Sequence, residues 1–398
     1  MLRSLRDPRS GVELDRGLVL AFPAPHSFTG EDMVELHVHG GRALVRAVLE
    51  AVAGCEGLRP AEPGEFTRRA FEHGKMDLTA AEGLADLVNA ETEAQRRQAL
   101  RQLRGDLGEL YEGWRRQLMT ALARIEAHID FPDEDLPPSL VEQTMAALSA
   151  TIAEIAAHLQ DERRGQRLRD GLSVAILGPP NVGKSSLLNA LAGRPAAIVS
   201  AQAGTTRDVI EVRLDLGGYA VTLADTAGLR EAGDAVEREG VRRARASAVA
   251  SDYKVLMVDA REYPNIDREL TGLADTDTLF VVNKCDLVSL EGVTAMAGRP
   301  ALAVSALTGL GIDELLKALT DAVVERAGFS EIPLISRERH RRALEECRAG
   351  LERALAAGSI ELLAEDLRLA VRHIGRITGR VDVEDLLDTI FREFCIGK

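Results

Sequence analysis

The run Gly178-Pro-Pro-Asn-Val-Gly183-Lys184-Ser185 constrains this chain more than any other stretch. An apolar segment, Ser173–Leu177, precedes it and a helix-forming one, Ser186–Leu191, follows. A G-x-x-x-x-G-K-S loop between strand and helix is a phosphate cradle. Its glycines let backbone N–H groups turn inward, and the helix N-terminus favours negative charge. The spacing predicts that Asn181, Val182, Gly183, Lys184, Ser185 and Ser186 line a nucleotide's phosphates. Lys184 then reaches the β- and γ-phosphates, and the Ser185 hydroxyl binds Mg²⁺. Residues 172–326 alternate strands and helices, the pattern of the parallel α/β sheet such a loop belongs to.

Three further motifs follow in order, each after a predicted strand. Asp225-Thr226-Ala227-Gly228 sets an acidic residue beside the metal and a flexible glycine near the γ-phosphate. Asn283-Lys284-Cys285-Asp286 supplies a carboxylate, Asp286, that accepts from both N1–H and the 2-amino group of guanine. Adenine has neither donor, so the site prefers GTP over ATP by ~10⁴. Ser305-Ala306-Leu307 supports the base. Together these identify a GTPase. Ser200–Asp208 is the switch segment, where a threonine completes the Mg²⁺ shell only when the γ-phosphate is present. Leu229 stands where Ras-type enzymes carry a water-positioning glutamine, and leucine cannot orient water. Glu231, Asp234, Glu237 and Glu239 lie just downstream as substitutes. No arginine finger is evident, a device worth roughly 10³ to 10⁵ in rate, so something must replace it.

The rest of the chain bounds what surrounds this machine. Its 398 residues predict two or three domains, and 28% charged residues are ordinary for a folded protein. No apolar run approaches a membrane span. Four widely spaced cysteines without a CxxC pair (Cys55, Cys285, Cys347, Cys395) fit a reducing, cytoplasmic setting. The net charge of -14 argues against sequence-blind grip on nucleic acid. Residues 1–75 mix short β patterns with Gly and Pro; in Met33–Val38, Val34, Leu36 and Val38 alternate with Glu35, His37 and His39, which predicts one buried face and one polar face. Helical periodicity dominates 76–170 and returns over 329–398, with the α/β segment 171–328 between them. The expected class is therefore α/β and all-α multidomain: a Ras-like P-loop domain inserted into a helical domain, preceded by a small α/β domain.

Four features give the chain a family likeness: Ser27-Phe-Thr-Gly-Glu-Asp32, Pro63-Gly-Glu-Phe66, the switch Gly204-Thr-Thr-Arg-Asp208, and the terminus Phe394-Cys-Ile-Gly-Lys398. With the nucleotide motifs they make the chain resemble the tRNA-modification GTPases of the MnmE (TrmE) family along nearly its whole length. The resemblance implies a folate-binding N-terminal domain and a homodimer. It also implies a complex with the FAD-dependent protein MnmG that modifies carbon 5 of the wobble uridine of tRNA. A tetrahydrofolate derivative, in the 5-formyl or methylene form, supplies the carbon. It further implies that K⁺ does the work of an arginine finger, held by Asn181 and by Ser200, Gln202 and Thr205. By the same likeness Thr206 is a Mg²⁺ ligand, Glu237 orients water, and Glu35, Lys75 and Lys398 bind folate. The family's chains open with a further few dozen residues, including a glycine-rich loop whose arginine contacts folate. This sequence starts at Met1-Leu-Arg-Ser without that loop, and the expectation is an incomplete folate site or a misplaced start.

Other features carry two readings. His37 and His39 share a strand face as a metal pair or as a polar pocket wall. Cys395 is a nucleophile or a small residue in a docked tail. The basic runs Arg163, Arg164, Arg167, Arg169 and Arg337, Arg339, Arg341, Arg342 are RNA-facing or solvated helix faces. The rival to tRNA modification is a GTPase switch in ribosome or RNA assembly, its N-terminal region a dimerisation scaffold.

Overall fold

A computed structural model describes residues 1–131, 139–161, 163–198, 211–225, 246, 248–263, 271–288, 295–296, 298–327, 333–381, 387, 390–391 and 394. In chain order these form β1 (Leu2–Arg6), β2 (Glu13–Phe22), β3 (Met33–His37), α1 (Arg42–Ala53), α2 (Glu65–Glu72), α3 (Leu78–Asn89), α4 (Glu93–Leu103), α5 (Asp106–Asp130) and α6 (Ser139–Leu159). Next come α7 (Arg164–Asp170), β4 (Leu172–Leu177), α8 (Lys184–Ala192), β5 (Glu211–Leu216), β6 (Tyr219–Asp225), β7 (Tyr253–Asp259) and β8 (Thr278–Asn283). The last are β9 (Ala295–Met296), β10 (Arg299–Ala303), α9 (Ile312–Ala327), α10 (Glu338–Leu355) and α11 (Ile360–Thr378). They group into two compact units, Met1–Val88 with Leu100–Ala156 and Arg339–Lys398, and Asn89–Ala99 with Ala157–Glu338.

The first unit combines an antiparallel sheet, β1-β2-β3, with a helical bundle. In α5, Leu107, Tyr111, Trp114, Leu118, Ala121 and Ile125 recur at three- and four-residue spacing and are all buried. That spacing lines up one stripe of the helix, and α11 packs along α5. Ser359 caps α11 by accepting from Leu362 N at 3.4 Å, and Gly379 ends it in the left-handed region (φ 86). Leu387, Ile390, Phe391 and Phe394 pack on Leu78, Ala81 and Ala85 of α3, with Phe71 and Met76 beside them.

One expectation fails here. Val34 and Leu36 are 61% and 36% exposed, so the apolar side of β3 is not buried. Alternation separates the two faces of a strand without saying which is covered. β3 is an edge strand of a three-stranded sheet, and the side bearing Val34 and Leu36 is only partly covered.

The second unit is built on a seven-stranded sheet of order β5-β6-β4-β7-β8-β10-β9. β4 runs parallel to β6 and β7, β7 to β8, and β8 to β10, while β5 and β9 are antiparallel edges. Leu172, Val174 and Ile176 of β4 share a core with Leu187, Leu188 and Leu191 of α8. That packing fixes the helix that follows the phosphate loop against the strand that precedes it. Asn89–Ala99 belongs to this unit because Ala94 N donates to Gly218 O (3.1 Å), Gln95 Nε2 to Arg169 O (2.9 Å), and Arg213 pairs with Glu91 (3.0 Å). Ligand crevices in such sheets lie beyond the carboxyl ends of the strands.

Candidate nucleotide site

The loop from β4 to α8 occupies that position. Gly178 (φ 157), Asn181 (φ 60) and Gly183 (φ 105) all lie at positive φ, so the backbone curls back on itself. Two glycines are required by close approach as well: a Cβ at Gly178 would stand 2.6 Å from Met257 O, and one at Gly183 2.3 Å from Asn283 Nδ2. Lys184 is buried and arches over the loop, with Nζ donating to Gly178 O (2.9 Å) and Pro179 O (3.0 Å). Val182 is buried beneath the loop, while Ser185 and Ser186 are exposed in the first turn of α8. A curled glycine loop, a lysine and a helix N-terminus together suit a polyphosphate, and the exposed Ser185 hydroxyl is a hard oxygen suited to Mg²⁺.

Asn283 ties three motifs into one site. From the buried end of β8 its Nδ2 donates to Val182 O (2.8 Å), and its Oδ1 accepts from Ala306 N (3.0 Å). One side chain thus locks the phosphate loop, the Asn283–Asp286 turn and the Ser305–Leu307 turn together. Ser305 is fully buried and accepts from Thr308 N (3.2 Å), which holds the third turn closed. Lys284, in the left-handed region at φ 67, donates from Nζ to Asn181 O (2.7 Å) and to Asp259 Oδ2 (2.8 Å). Asp286 and Leu307 are exposed on their turns. Asp225 ends β6, paired in register with Ile176.

Asp259, at the end of β7, is a member the sequence did not reveal. It accepts from Arg261 N (3.0 Å), Nε (3.0 Å) and Nη2 (2.6 Å) as well as from Lys284. Arg261, then Lys284, hold its carboxyl far below the ordinary carboxylate range, against the opposing effect of its burial. The available signal was an acidic residue ending an apolar strand, followed two residues later by arginine.

In the first unit, Glu35 lies 3.0 Å from His37 Nε2, and the carboxylate of Asp15 accepts from His39 N (2.9 Å) with His39 Nδ1 2.9 Å away. The two histidines are thus separately paired, and among the described residues no cluster of three metal-binding side chains forms. Lys75 Nζ donates to Pro25 O (2.9 Å), next to the Ser27–Asp32 loop. Glu31 of that loop is 3.1 Å from Arg69, which also grips Glu65 (2.7 Å) of the Pro63–Phe66 motif. Gly64 sits under the C-terminal segment, where a Cβ would meet Phe391 O at 2.6 Å.

The basic runs are mostly committed elsewhere. Arg167 pairs with Asp252 (2.8 Å), Arg169 with Asp170 (2.6 Å), Arg339 with Glu82 (2.6 Å), and Arg341 is buried. That favours structural helix faces over free surfaces for RNA. Ser200, Gln202, Thr205, Thr206, Thr226, Ala227, Gly228, Leu229, Glu237, Cys395, Lys398 and the side chain of Asp225 lie outside the described residues. Among the described residues, no helix is long and apolar enough to cross a membrane.

Comparison with known proteins adds an independent line. The family model described as the MnmE helical domain matches residues 78–395, and that of the GTP-binding protein TrmE N-terminus matches residues 1–75. The tRNA modification GTPase MnmE of Parvibaculum lavamentivorans is 60% identical over all of this chain and 90% of its own length. That of Paramagnetospirillum magneticum is 58% identical over 99% of this chain and 89% of its own. Subunit GTPB3 of human mitochondrial 5-taurinomethyluridine-tRNA synthase is 49% identical over all of this chain and 84% of its own. Among solved structures, Aquifex aeolicus Era is 26% identical, covering 45% of this chain and 66% of that one, at a TM-score of 0.31.

Proposed function

The chain belongs to the MnmE (TrmE) family of tRNA modification GTPases, and from that premise we propose how it works. GTP is held by the phosphate loop, by Asp225–Gly228, by Asn283, Lys284 and Asp286 on the base side, and by Ser305–Leu307. The observation that carries this is Asn283, whose two side-chain hydrogen bonds bring the phosphate, base and Ser305 turns to one crevice. Mg²⁺ is bound by Ser185 and Thr206, and supplies charge against the phosphates. K⁺ is held by Asn181, Ser200, Gln202 and Thr205, with Glu237 orienting the attacking water. The left-handed, exposed Asn181 beside the phosphates suits a cation ligand, and Leu229 leaves the water without a partner of its own. Turnover of GTP should be at least ~10-fold faster in KCl than in NaCl, a small part of what a finger arginine is worth. Equal rates in the two salts would sink the K⁺ assignment.

The division we favour is 1–75 as folate-binding and dimerisation domain, 76–170 with 329–398 as helical domain, and 171–328 as G domain. In a cytoplasmic homodimer acting with the FAD-dependent MnmG, the GTP cycle then drives the change of shape that serves carbon-5 chemistry on the tRNA wobble uridine, of the carboxymethylaminomethyl type. A tetrahydrofolate derivative is the carbon donor, held by Glu35, Lys75 and Lys398. Its support is a juxtaposition: Phe394, next in sequence to Cys395, packs in the same cluster as Met76, next to Lys75. The described end of the chain at Phe394 thus meets the segment that carries Lys75. Calorimetric titration with 5-formyltetrahydrofolate tests this. Binding by the wild type that falls at least ~10-fold in Lys75→Ala, the usual cost of one charge-assisted contact, supports the assignment. No binding by a folded, GTP-hydrolysing chain favours the assembly-switch alternative.

A further inference from the structure

Lys284 and Arg261 compete for one carboxylate. Both donate to Oδ2 of Asp259, Lys284 Nζ at 2.8 Å and Arg261 Nη2 at 2.6 Å. Asp259 is only 6% exposed in its side chain, whereas Arg261 is 58% exposed. A buried anion with two cationic claimants divides its pull between them, and the planar, two-pronged arginine takes the larger share. Lys284 meanwhile spans two parts of the nucleotide site, rooted in the Asn283–Asp286 turn and donating to Asn181 O of the phosphate loop.

We infer that Asp259 is a positioning residue for guanine-nucleotide retention, acting through Lys284, and that Arg261 sets how firmly it does so by drawing off part of the same carboxylate. This rests on Asn283–Asp286 being the guanine-binding turn. The ammonium of Lys284 has two anchors, Asn181 O and Asp259 Oδ2. Removing the charged one leaves the side chain to the neutral carbonyl, and the bridge between base turn and phosphate loop loosens before nucleotide arrives. Removing the arginine side chain does the reverse. Arg261 N still donates to Oδ1 at 3.0 Å, so the carboxylate keeps its orientation while its charge falls wholly to Lys284.

Two neighbouring substitutions should therefore move nucleotide release in opposite directions. The probe is methylanthraniloyl-GDP, chased from the full-length protein by excess GDP in stopped-flow fluorescence. Asp259→Asn should speed release by ~10-fold or more, the usual worth of a charge-assisted hydrogen bond. Arg261→Ala, at an exposed side chain that leaves the fold intact, should slow release by about 2- to 5-fold. A merely structural role cannot give opposite signs, because loss of packing only loosens the site. Asp286→Asn is run alongside. If it leaves GDP affinity and the preference for GDP over XDP unchanged, the guanine-turn assignment fails and the inference fails with it. If it behaves as a guanine ligand while the Asp259 and Arg261 variants shift release in the same direction, or either by less than twofold, the inference alone is overturned.

Discussion

Replacing Asp286 by asparagine should lower the affinity for GTP and GDP by ~10³-fold or more and make xanthine nucleotides the better ligands. In the proposed site the carboxylate accepts two hydrogen bonds, from N1–H and from the 2-amino group of guanine. An amide can accept from N1–H but turns its own N–H toward the 2-amino group, donor against donor. Xanthine carries a carbonyl at that carbon, so the amide meets an acceptor instead. Sites that hydrogen-bond a polar group reject ligands that leave their polar atoms unpaired far more strongly than apolar pockets reject a misfit. Asp286 is exposed on a turn whose root, Asn283, is locked to the phosphate loop, so the substitution acts on the ligand and not on the fold. Competition of GDP and XDP for the methylanthraniloyl-GDP site measures it. An unchanged ratio of the two affinities would show that the base is read elsewhere.

The nucleotide site was legible because its chemistry is local in sequence. A strand, a loop of fixed length and a helix appear consecutively in residues 172–192, and β4 and α8 form there. What joins the loops was not legible. Asn283 and Val182 are 101 residues apart, and Lys284 and Asp259 are 25 apart, so no window of sequence contains both partners. The same limit explains β3: alternation divides Val34 from Glu35 but is silent on which face a neighbour covers. The basic runs left two readings open for a related reason. Charge in sequence says nothing of where the opposite charge lies, and Arg339 finds its partner at Glu82, 257 residues away. Here a clue did exist, since Glu82 interrupts Leu78-Thr-Ala-Ala-Glu-Gly-Leu, a run too apolar and small for a solvated acid.

That acid yields the largest stability effect expected in the molecule. Glu82 is fully buried in α3 and accepts from Arg339 Nε (2.6 Å) and Nη2 (2.8 Å), with His340 Nε2 2.9 Å away. Arg339 also donates to Ile377 O (3.1 Å), so the cluster clasps α3, α10 and the end of α11. Burial alone would raise the carboxyl, yet Arg339, then His340, overcome it and hold Glu82 far below its ordinary range. Glu82→Gln keeps the shape, leaves a guanidinium only 20% exposed and a buried imidazole without their counter-charge, and should destabilise this unit by about 3 kcal/mol. Because the folded carboxyl titrates below the unfolded one, its contribution is fully present above about pH 5. It is lost as pH falls below the unfolded value near 4.3, at about 1.4 kcal/mol per pH unit. Glutamine has no such titration. Chemical unfolding of wild type and variant at pH 6, 4 and 3 should therefore show a gap that is wide at pH 6 and narrows by roughly 2 kcal/mol by pH 3. A gap that stays constant across that range would mean Glu82 is held by packing and not by charge, and a gap near zero at pH 6 would remove the clasp altogether.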